Sequence, residues 1–264
     1  MLAWIKIIII LYCVTGIALY YLQERLLFRP ERLTPSQPFA FSEPFHEVSI
    51  RFDANTLWSM VEFLPQQDTV ARGVVLYFHG NRQNISRYAP FAKNFTSHNY
   101  EVWMPDYPGY GQSTGELTEQ ALYDEALEVY KLARSRFQPG QIIIYGKSLG
   151  SGIAAELATK RDCRALILET PYYSIETLLR RYLFMYPLGR MLKFHLPTGE
   201  YLKDVVAPVT VLHGTDDAVV PYSNAAKLKG SFKPGDRFIA IEKGDHHNLN
   251  GSPLFHHTLD SLLR

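Results

Sequence analysis

The stretch IIIYGKSLGSG, residues 142–152, is the part of the sequence that decides the fold. An unbroken apolar run, typical of a strand buried on both faces, leads directly into G-x-S-x-G and then into an Ala-rich, helix-like segment. The glycines two residues before and after Ser148 leave room for a turn sharp enough to lift its hydroxyl above the strand end. In this strand–turn–helix context, the pattern predicts that Ser148 is a nucleophile rather than part of a structural glycine turn.

The segments around this turn alternate short apolar strands with helix-length stretches. Strands are predicted at 48–52, 57–63, 74–78, 101–104, 142–145, 165–168, 209–212 and 238–241, and helices at 118–136 and 149–159. The first two strands are expected to pair antiparallel, whereas strands separated by helices require right-handed crossovers and a mainly parallel sheet. The predicted class is therefore α/β, a mainly parallel sheet flanked by helices. The aromatic, Arg-rich segment 171–204 is predicted to be a short helical cap inserted above the sheet edge.

Size and composition predict one large folded domain. The chain has 264 residues, of which 47% are apolar, enough for a full α/β core. Lys plus Arg number 27 and Asp plus Glu number 26, so no basic surplus indicates a nucleic-acid partner. Cys13 and Cys163 have no neighbours that suggest a metal site, and both are predicted to be free thiols.

The N-terminus carries an apolar segment. Residues 7–22 hold no charge, and about 20 residues suffice for a helix to cross the hydrocarbon layer. The run 2–22 is long enough if the side chain of Lys6 extends to the headgroups. We therefore predict a transmembrane anchor at 1–23, a Pro-rich linker at 24–46 and the catalytic domain at 47–264.

Two other interpretations of the apolar segment are open. A cleaved signal peptide would use Lys6 as its basic region, but residues 16–18 form a poor cleavage site. A lipoprotein signal at Cys13 is disfavoured because Tyr12 stands where a small residue is needed. An uncleaved membrane helix is the favoured prediction.

The charges that flank the segment bear on its orientation. Arg25, Arg29 and Arg32 follow it, whereas Lys6 and the α-amine precede it. By the positive-inside rule, this small asymmetry favours the cytoplasmic side for the catalytic domain.

A serine hydroxyl is a weak nucleophile and needs a base that is oriented by an acid. In strand–turn–helix serine hydrolases these groups follow in the order Ser, Asp or Glu, His. HGTDD at 213–217 and GDHHN at 244–248 each come directly after a predicted strand, at the sheet edge where ligands bind. These residues leave open which of Asp216 and Asp217 is the acid, and whether an aspartate here only caps the following helix. They also leave open which of the two adjacent histidines is the base.

Five segments together resemble the α/β-hydrolase family. They are HGN (79–81), DYPGYGQSTG (106–115), GKSLG (146–150), HGTDDAVVP (213–221) and GDHHN (244–248). More narrowly, the chain is similar to the membrane-anchored branch of α/β-hydrolase-domain proteins, which have one N-terminal span and a compact cap. The resemblance covers residues from about 24 to 264.

The resemblance assigns roles to individual residues. It implies that Asp217 is the acid and that His247, directly before an asparagine, is the base. The backbone N–H of Leu149, which follows the nucleophile, is one expected oxyanion donor, and the family places the other at Asn81. His79 and the turn at 106–111 are expected to shape the site rather than react.

These groups predict acyl transfer without a cofactor. The favoured substrates are esters or thioesters of small acyl or lipid-like molecules, and the same triad would also serve a peptidase or amidase. A catalytically inactive, membrane-tethered binding module is the alternative from another class. A metal site at His246, His247, His256 and His257 is disfavoured because no H-E-x-x-H motif or carboxylate cluster accompanies them.

Overall fold

The eight predicted strands and the helices predicted at 118–136 and 149–159 are all present, in the predicted order. The structure, a computed structural model, describes residues 2–34, 37–65 and 70–264; residues 35–36 of the predicted linker lie outside it. The strands are β1 (Arg29–Pro30), β2 (Phe45–Arg51), β3 (Leu57–Phe63), β4 (Gly73–Phe78), β5 (Arg82–Gln83), β6 (Tyr100–Asp106), β7 (Ile142–Lys147), β8 (Ala165–Glu169), β9 (Val209–Gly214) and β10 (Arg237–Ile241). The helices are α1 (Leu2–Leu27), α2 (Ile85–Tyr88), α3 (Lys93–Thr96), α4 (Glu119–Arg134), α5 (Gly150–Lys160), α6 (Ile175–Leu183), α7 (Leu188–Met191), α8 (Thr198–Tyr201), α9 (Tyr222–Ala225) and α10 (Pro253–Leu262).

Within the described residues, the central sheet has eight strands in the spatial order β10-β9-β8-β7-β4-β6-β3-β2. Every neighbouring pair from β10 to β6 is parallel, whereas β3 is antiparallel to both β6 and β2. The antiparallel first pair and the mainly parallel remainder confirm the sequence prediction. Because the parallel strands all run the same way, the loops after β4, β7, β9 and β10 lie at one edge of the sheet, where such sheets bind ligands.

Side chains that alternate along β4 belong to two different cores. Val74 and Leu76 pack on the side of α4 and α5, whereas Val75 and Tyr77 pack on the side of α2, α3 and α10. Every residue of β4 and β7 is buried. This cover on both faces explains why the two strands are continuous apolar runs rather than alternating ones.

The predicted cap contains the helices α6, α7 and α8. Helix α6 begins after Ser174, whose side chain accepts a hydrogen bond from the Thr177 N–H at 3.0 Å. The cap exposes apolar side chains at its tip, including Phe184 and Met185. It is thus helical, as predicted, with part of its apolar surface in contact with solvent.

The apolar helix α1 extends four residues beyond the predicted boundary at 23 and packs against the cap. The rings of Tyr12 and Tyr186 stack with their centroids 4.6 Å apart. Gln23 accepts a hydrogen bond from the Lys193 N–H at 2.6 Å and donates one to the Met191 carbonyl at 3.1 Å. The hydrogen bonds of Gln23 explain the extra helical turn, because they join a polar residue after the apolar run to the cap.

Both cysteines are free thiols, as predicted. Cys13 is exposed on α1, whereas Cys163 is half-buried before β8.

Candidate active site

The turn between β7 and α5 holds Ser148 in a left-handed backbone conformation. Its φ is +51°, a region that costs a residue with a Cβ about 1–2 kcal/mol. The turn is held by two hydrogen bonds, from the Ser148 N–H to the Glu169 carbonyl at 2.8 Å and from the Ser151 N–H to the Ser148 carbonyl at 2.9 Å. The side chain is only half-buried, so its hydroxyl faces the edge of the sheet.

The flanking glycines make this turn possible. A Cβ on Gly150 would lie 2.1 Å from the Phe78 carbonyl oxygen, and one on Gly146 would lie 2.7 Å from the Cβ of Ala154. Neither contact can be relieved by turning a flexible side chain. The two glycines therefore let α5 start directly against β4 and β7, as the G-x-S-x-G spacing predicts.

The imidazole of His246 connects Ser148 with Asp217. Its Nε2 lies 2.8 Å from the Ser148 Oγ, and its Nδ1 lies 2.7 Å from the Asp217 Oδ2. Because an ionised carboxylate can only accept, Nδ1 carries the proton and Nε2 accepts the serine hydroxyl. An imidazole in this arrangement can take up the hydroxyl proton when the oxygen attacks.

Backbone amides fix the carboxylate of Asp217. The N–H groups of Val219 and Val220 donate to its Oδ1 at 2.9 and 2.8 Å. Burial acts to raise the pKa of Asp217, but the hydrogen bond and charge of His246, together with the Val220 N–H, outweigh burial and hold the pKa below 3.8. The group is therefore ionised at neutral pH.

His213 lies beneath this carboxylate. It is fully buried, and its Nε2 donates to the Val220 carbonyl at 3.0 Å while lying 3.7 Å from the Asp217 Oδ2. Burial lowers the pKa of His213 in spite of the neighbouring carboxylate. The ring is therefore neutral at neutral pH and supports the loop that carries Asp217.

The structure corrects the choice of His247 as the residue that contacts Ser148. The His247 side chain is exposed, and its backbone N–H donates to the Asp245 Oδ1 at 2.6 Å. The rings of His246 and His247 are perpendicular to each other, with 5.1 Å between their centroids. The residue before the asparagine thus lines the same cavity, but its neighbour His246 reaches the hydroxyl.

The two aspartates after β9 also differ in position. Asp216 is exposed, and its Oδ1 accepts from the Thr215 hydroxyl at 3.1 Å. Its backbone N–H donates to the Gly244 carbonyl at 2.9 Å. Of the pair left open by the sequence, the structure brings Asp217 to the histidine.

The two residues expected to donate to an oxyanion flank the serine. Leu149 precedes α5, whose N-terminus directs its free N–H groups toward this edge of the sheet. Asn81 lines the cavity that contains Ser148. The Asn81 side chain donates to the Leu27 carbonyl at 2.7 Å, so it fastens the end of α1 to the loop after β4.

His79 and Asp106 form a buried pair behind this loop. The His79 Nδ1 donates to the Gly80 carbonyl at 2.7 Å, and its Nε2 lies 3.3 Å from the Asp106 Oδ1. Tyr107 donates its hydroxyl to the His79 carbonyl at 2.7 Å. These contacts fix the loop after β4, in agreement with a shaping role for His79 and for the turn at 106–111.

A buried carboxyl group lies in the core near this pair. Glu125, on α4, is fully buried, and neither of its oxygens has a hydrogen-bond partner among the described residues. Burial, and to a smaller extent the charge of Asp106, raise the pKa of Glu125 well above its ordinary value of 4.5. The group is therefore held in its neutral form.

Ser148 lines a cavity of about 300 Å³. Its lining includes the aromatic rings of Tyr88 and Phe91 and a set of basic side chains, Arg29, Arg82, Arg87 and Lys147. The near-neutral composition of the whole chain gave no indication of this local basic set. The signal available in the sequence was Arg82 directly after HGN and Arg87 five residues later.

In the described part of the chain, no three His, Cys, Asp or Glu side chains converge on a point as metal ligands would. His256 instead forms a hydrogen bond with the Asn250 carbonyl at 2.7 Å.

Known proteins match the central part of this sequence. Residues 69–199 match the profile of the family described as "Serine aminopeptidase, S33". The uncharacterized protein YfhR of Escherichia coli K12 is 28% identical over 69% of this chain and 65% of its own length. The mouse alpha/beta hydrolase domain-containing protein 17C is 30% identical over 68% of this chain and 56% of its own length. The chain thus spans about two thirds of the one relative and little more than half of the other.

Solved structures share the fold. An esterase of Pyrococcus furiosus superposes with a TM-score of 0.68 at 16% identity, covering 90% of this chain and 97% of its own. The esterase domain of a Rhodothermus marinus protein gives 0.63 at 15% identity, covering 83% and 97%. The eight-stranded sheet, the strained serine turn and these matches define the α/β-hydrolase fold, which the sequence predicted.

The chain has the α/β-hydrolase fold, resembles the alpha/beta hydrolase domain-containing proteins in sequence, and itself carries an N-terminal apolar helix.

Proposed function

We propose that this protein is a membrane-associated serine hydrolase that cleaves ester or thioester bonds of small acyl substrates. The observation that carries the proposal is the chain of contacts from Ser148 through His246 to Asp217. A binding module would have no use for a hydroxyl held in a strained turn against an imidazole that is itself oriented by an ionised carboxylate.

The reaction proceeds in two halves. The Ser148 Oγ attacks the substrate carbonyl carbon while the His246 Nε2 takes the hydroxyl proton. Collapse of the tetrahedral intermediate breaks the bond to the alcohol or thiol, which leaves with that proton. Water then attacks the acyl-enzyme and gives a proton to His246; the carboxylic acid leaves, and Ser148 is restored.

Two backbone amides stabilise the charge that develops on the carbonyl oxygen. We assign them to Leu149, at the start of α5, and to Asn81, in the loop after β4. Both residues adjoin the serine, and the positive end of the helix adds to the stabilisation. Loss of one such donor lowers kcat by about 10²–10³ in enzymes of this kind.

The helix α1 supplies the membrane association. It is long and apolar enough to cross a bilayer by length and composition. The packing of Tyr12 against the cap supports an uncleaved helix, because cleavage near residues 16–18 would remove this contact. The arginines that follow the apolar run support a cytoplasmic catalytic domain, which protease protection of the domain in sealed vesicles would test.

A peptidase is the second candidate, favoured by the description of the matching family profile. The same triad can cleave an amide when the site can protonate the leaving amine. Matched butyryl substrates, as a p-nitrophenyl ester, a thioester and a p-nitroanilide, would rank the three bonds. Faster turnover of the anilide than of the ester would favour the peptidase.

A fluorophosphonate probe tests the proposal directly. The probe should label the wild-type protein covalently, and Ser148→Ala should abolish labelling. A folded wild-type protein that stays unlabelled would contradict catalysis and favour a binding module.

A further inference from the structure

The cavity around Ser148 has an uneven distribution of charge. Its lining contains the basic side chains of Arg29, Arg82, Arg87 and Lys147, and no carboxylate belongs to the described residues that line it. The chain as a whole is nearly neutral, with 27 basic and 26 acidic residues. The basic set is therefore a local arrangement and does not follow from composition.

Three of these four charges are uncompensated. Lys147 forms a buried ion pair with Glu169, which neutralises it. No ion pair with a carboxylate joins Arg29, Arg82 or Arg87 in the described ranges of the chain. Arg87 donates from Nη1 to the neutral Gln83 Oε1 at 2.8 Å, which orients the guanidinium without cancelling its charge.

The basic side chains also act on His247, which lines the same cavity. Burial lowers the pKa of His247 first, and the positive charges of His246, Lys147, Arg87 and Arg82 lower it further. No negative group offsets them among these causes. A ring in the cavity lining thus lies in a positive potential.

We propose that the substrate carries a phosphate group near its scissile acyl bond and that Arg82, Arg87 and Arg29 bind this group. This inference rests on the proposed acyl hydrolysis and names the class of molecule that undergoes it. Like charges repel one another, so the clustering of these arginines around a nucleophile is accounted for by an anion that they bind together. Arginine is suited to the task because its planar fork matches two oxygens of a phosphate.

The residues come from segments that the fold brings together for other reasons. Arg82 and Arg29 lie on β5 and β1, which pair in register opposite each other. Asn81, one of the proposed oxyanion donors, directly precedes Arg82 in the loop after β4. A phosphate bound here would therefore place the acyl carbonyl against Ser148.

The test compares two thioesters with the same acyl chain. Butyryl-coenzyme A carries phosphates, whereas S-butyryl-N-acetylcysteamine presents the same bond without them. We expect the full chain, in non-ionic detergent, to prefer the coenzyme A ester in kcat/KM, and added salt to reduce the preference. The double variant R82Q/R87Q should lower kcat/KM for the phosphate-bearing thioester about tenfold and leave the neutral one nearly unchanged.

Arg51→Gln is the matched control, since Arg51 is exposed on β2 and absent from the cavity lining. This variant should change kcat/KM for neither thioester. Equal losses on both thioesters in R82Q/R87Q, or no wild-type preference between them, would exclude a soluble phosphate-bearing thioester as the substrate. Cleavage of the neutral thioester that depends on Ser148 would uphold the proposed hydrolase even then.

A second substrate pair identifies the source of the phosphate. Lysophosphatidic acid and monoacylglycerol differ by the headgroup phosphate and share the ester bond. An arginine-dependent preference within the lipid pair alone assigns a lipid headgroup, and one within the thioester pair alone assigns a soluble carrier. A preference in neither pair would refute the phosphate site.

Discussion

The His246 Nε2 lies 2.8 Å from the Ser148 Oγ, although 98 positions separate the two residues in the chain. Adjacent to His246, His247 lines the same cavity, but the hydrogen bond to the hydroxyl is made by His246. The functional difference between these neighbours is open to a direct measurement.

His246→Ala should lower kcat/KM on p-nitrophenyl butyrate by about 10⁴-fold or more, because the serine loses its base. His247→Ala should stay within about threefold of the wild type, since its ring does not contact Ser148. Both variants should bind detergent micelles and unfold like the wild type. The reverse ranking of the two variants would contradict the arrangement of the site.

Asp217→Asn should lower kcat by about 10⁴-fold, because an amide no longer holds the histidine in the tautomer that accepts the serine proton. Asp216→Asn is the matched control, and it should retain near wild-type turnover because its side chain is exposed and contacts Thr215. Steady-state kinetics of the two variants on one ester decide the question. A loss confined to the control would transfer the acid role to Asp216.

Gly146→Ala should destabilise the protein by about 3 kcal/mol or more, because the new methyl group meets the Gly150 carbonyl oxygen and the Ala154 Cβ. Gly140→Ala has no atom within 4 Å of the added Cβ and should change stability by less than about 0.5 kcal/mol. Thermal unfolding in detergent compares them. Equal melting temperatures for the two variants would show that the turn has more room than the structure gives it.

The pH dependence of stability should show the effect of Glu125. Because its folded-state pKa is raised, the neutral group contributes stability that is complete below about pH 4.5, its unfolded value. That contribution is lost as the pH rises toward the folded-state pKa. Glu125→Gln should therefore lose less stability than the wild type between pH 5 and pH 8, measured by urea unfolding at each pH.

The exposed Glu116 supplies the control, and Glu116→Gln should follow the wild-type curve. Parallel curves for Glu125→Gln and the wild type would mean that Glu125 does not titrate differently in the folded and unfolded chains.

Sequence patterns predicted the layered fold because they record burial. Runs such as 142–145 are apolar throughout only when both faces of a strand are covered. The second glycine of G-x-S-x-G is required because a Cβ on Gly150 would lie 2.1 Å from the Phe78 carbonyl oxygen of β4. The order Ser, Asp, His was expected from the rule for strand–turn–helix serine hydrolases, and each group follows a strand at one edge of the sheet.

The choice between His246 and His247 depended on a local turn that the pattern does not encode. The Asp245 side chain accepts the N–H groups of His247 and Asn248, and this contact decides which ring faces inward. The basic lining of the cavity was missed for a related reason. Arg29 and Arg82 are far apart in sequence and become neighbours only through the pairing of β1 with β5.

The stacking of Tyr12 on Tyr186 limits how far the protein can stand off from a bilayer. Only Leu2–Leu11 of α1 extends beyond that contact, about 15 Å at 1.5 Å per residue, which is half of a hydrocarbon layer about 30 Å thick. A membrane that enclosed the whole apolar helix would also surround the exposed Phe184 and Met185. The domain would then be partly embedded in one leaflet, and an acyl chain could pass from the lipid to the cap without crossing bulk solvent.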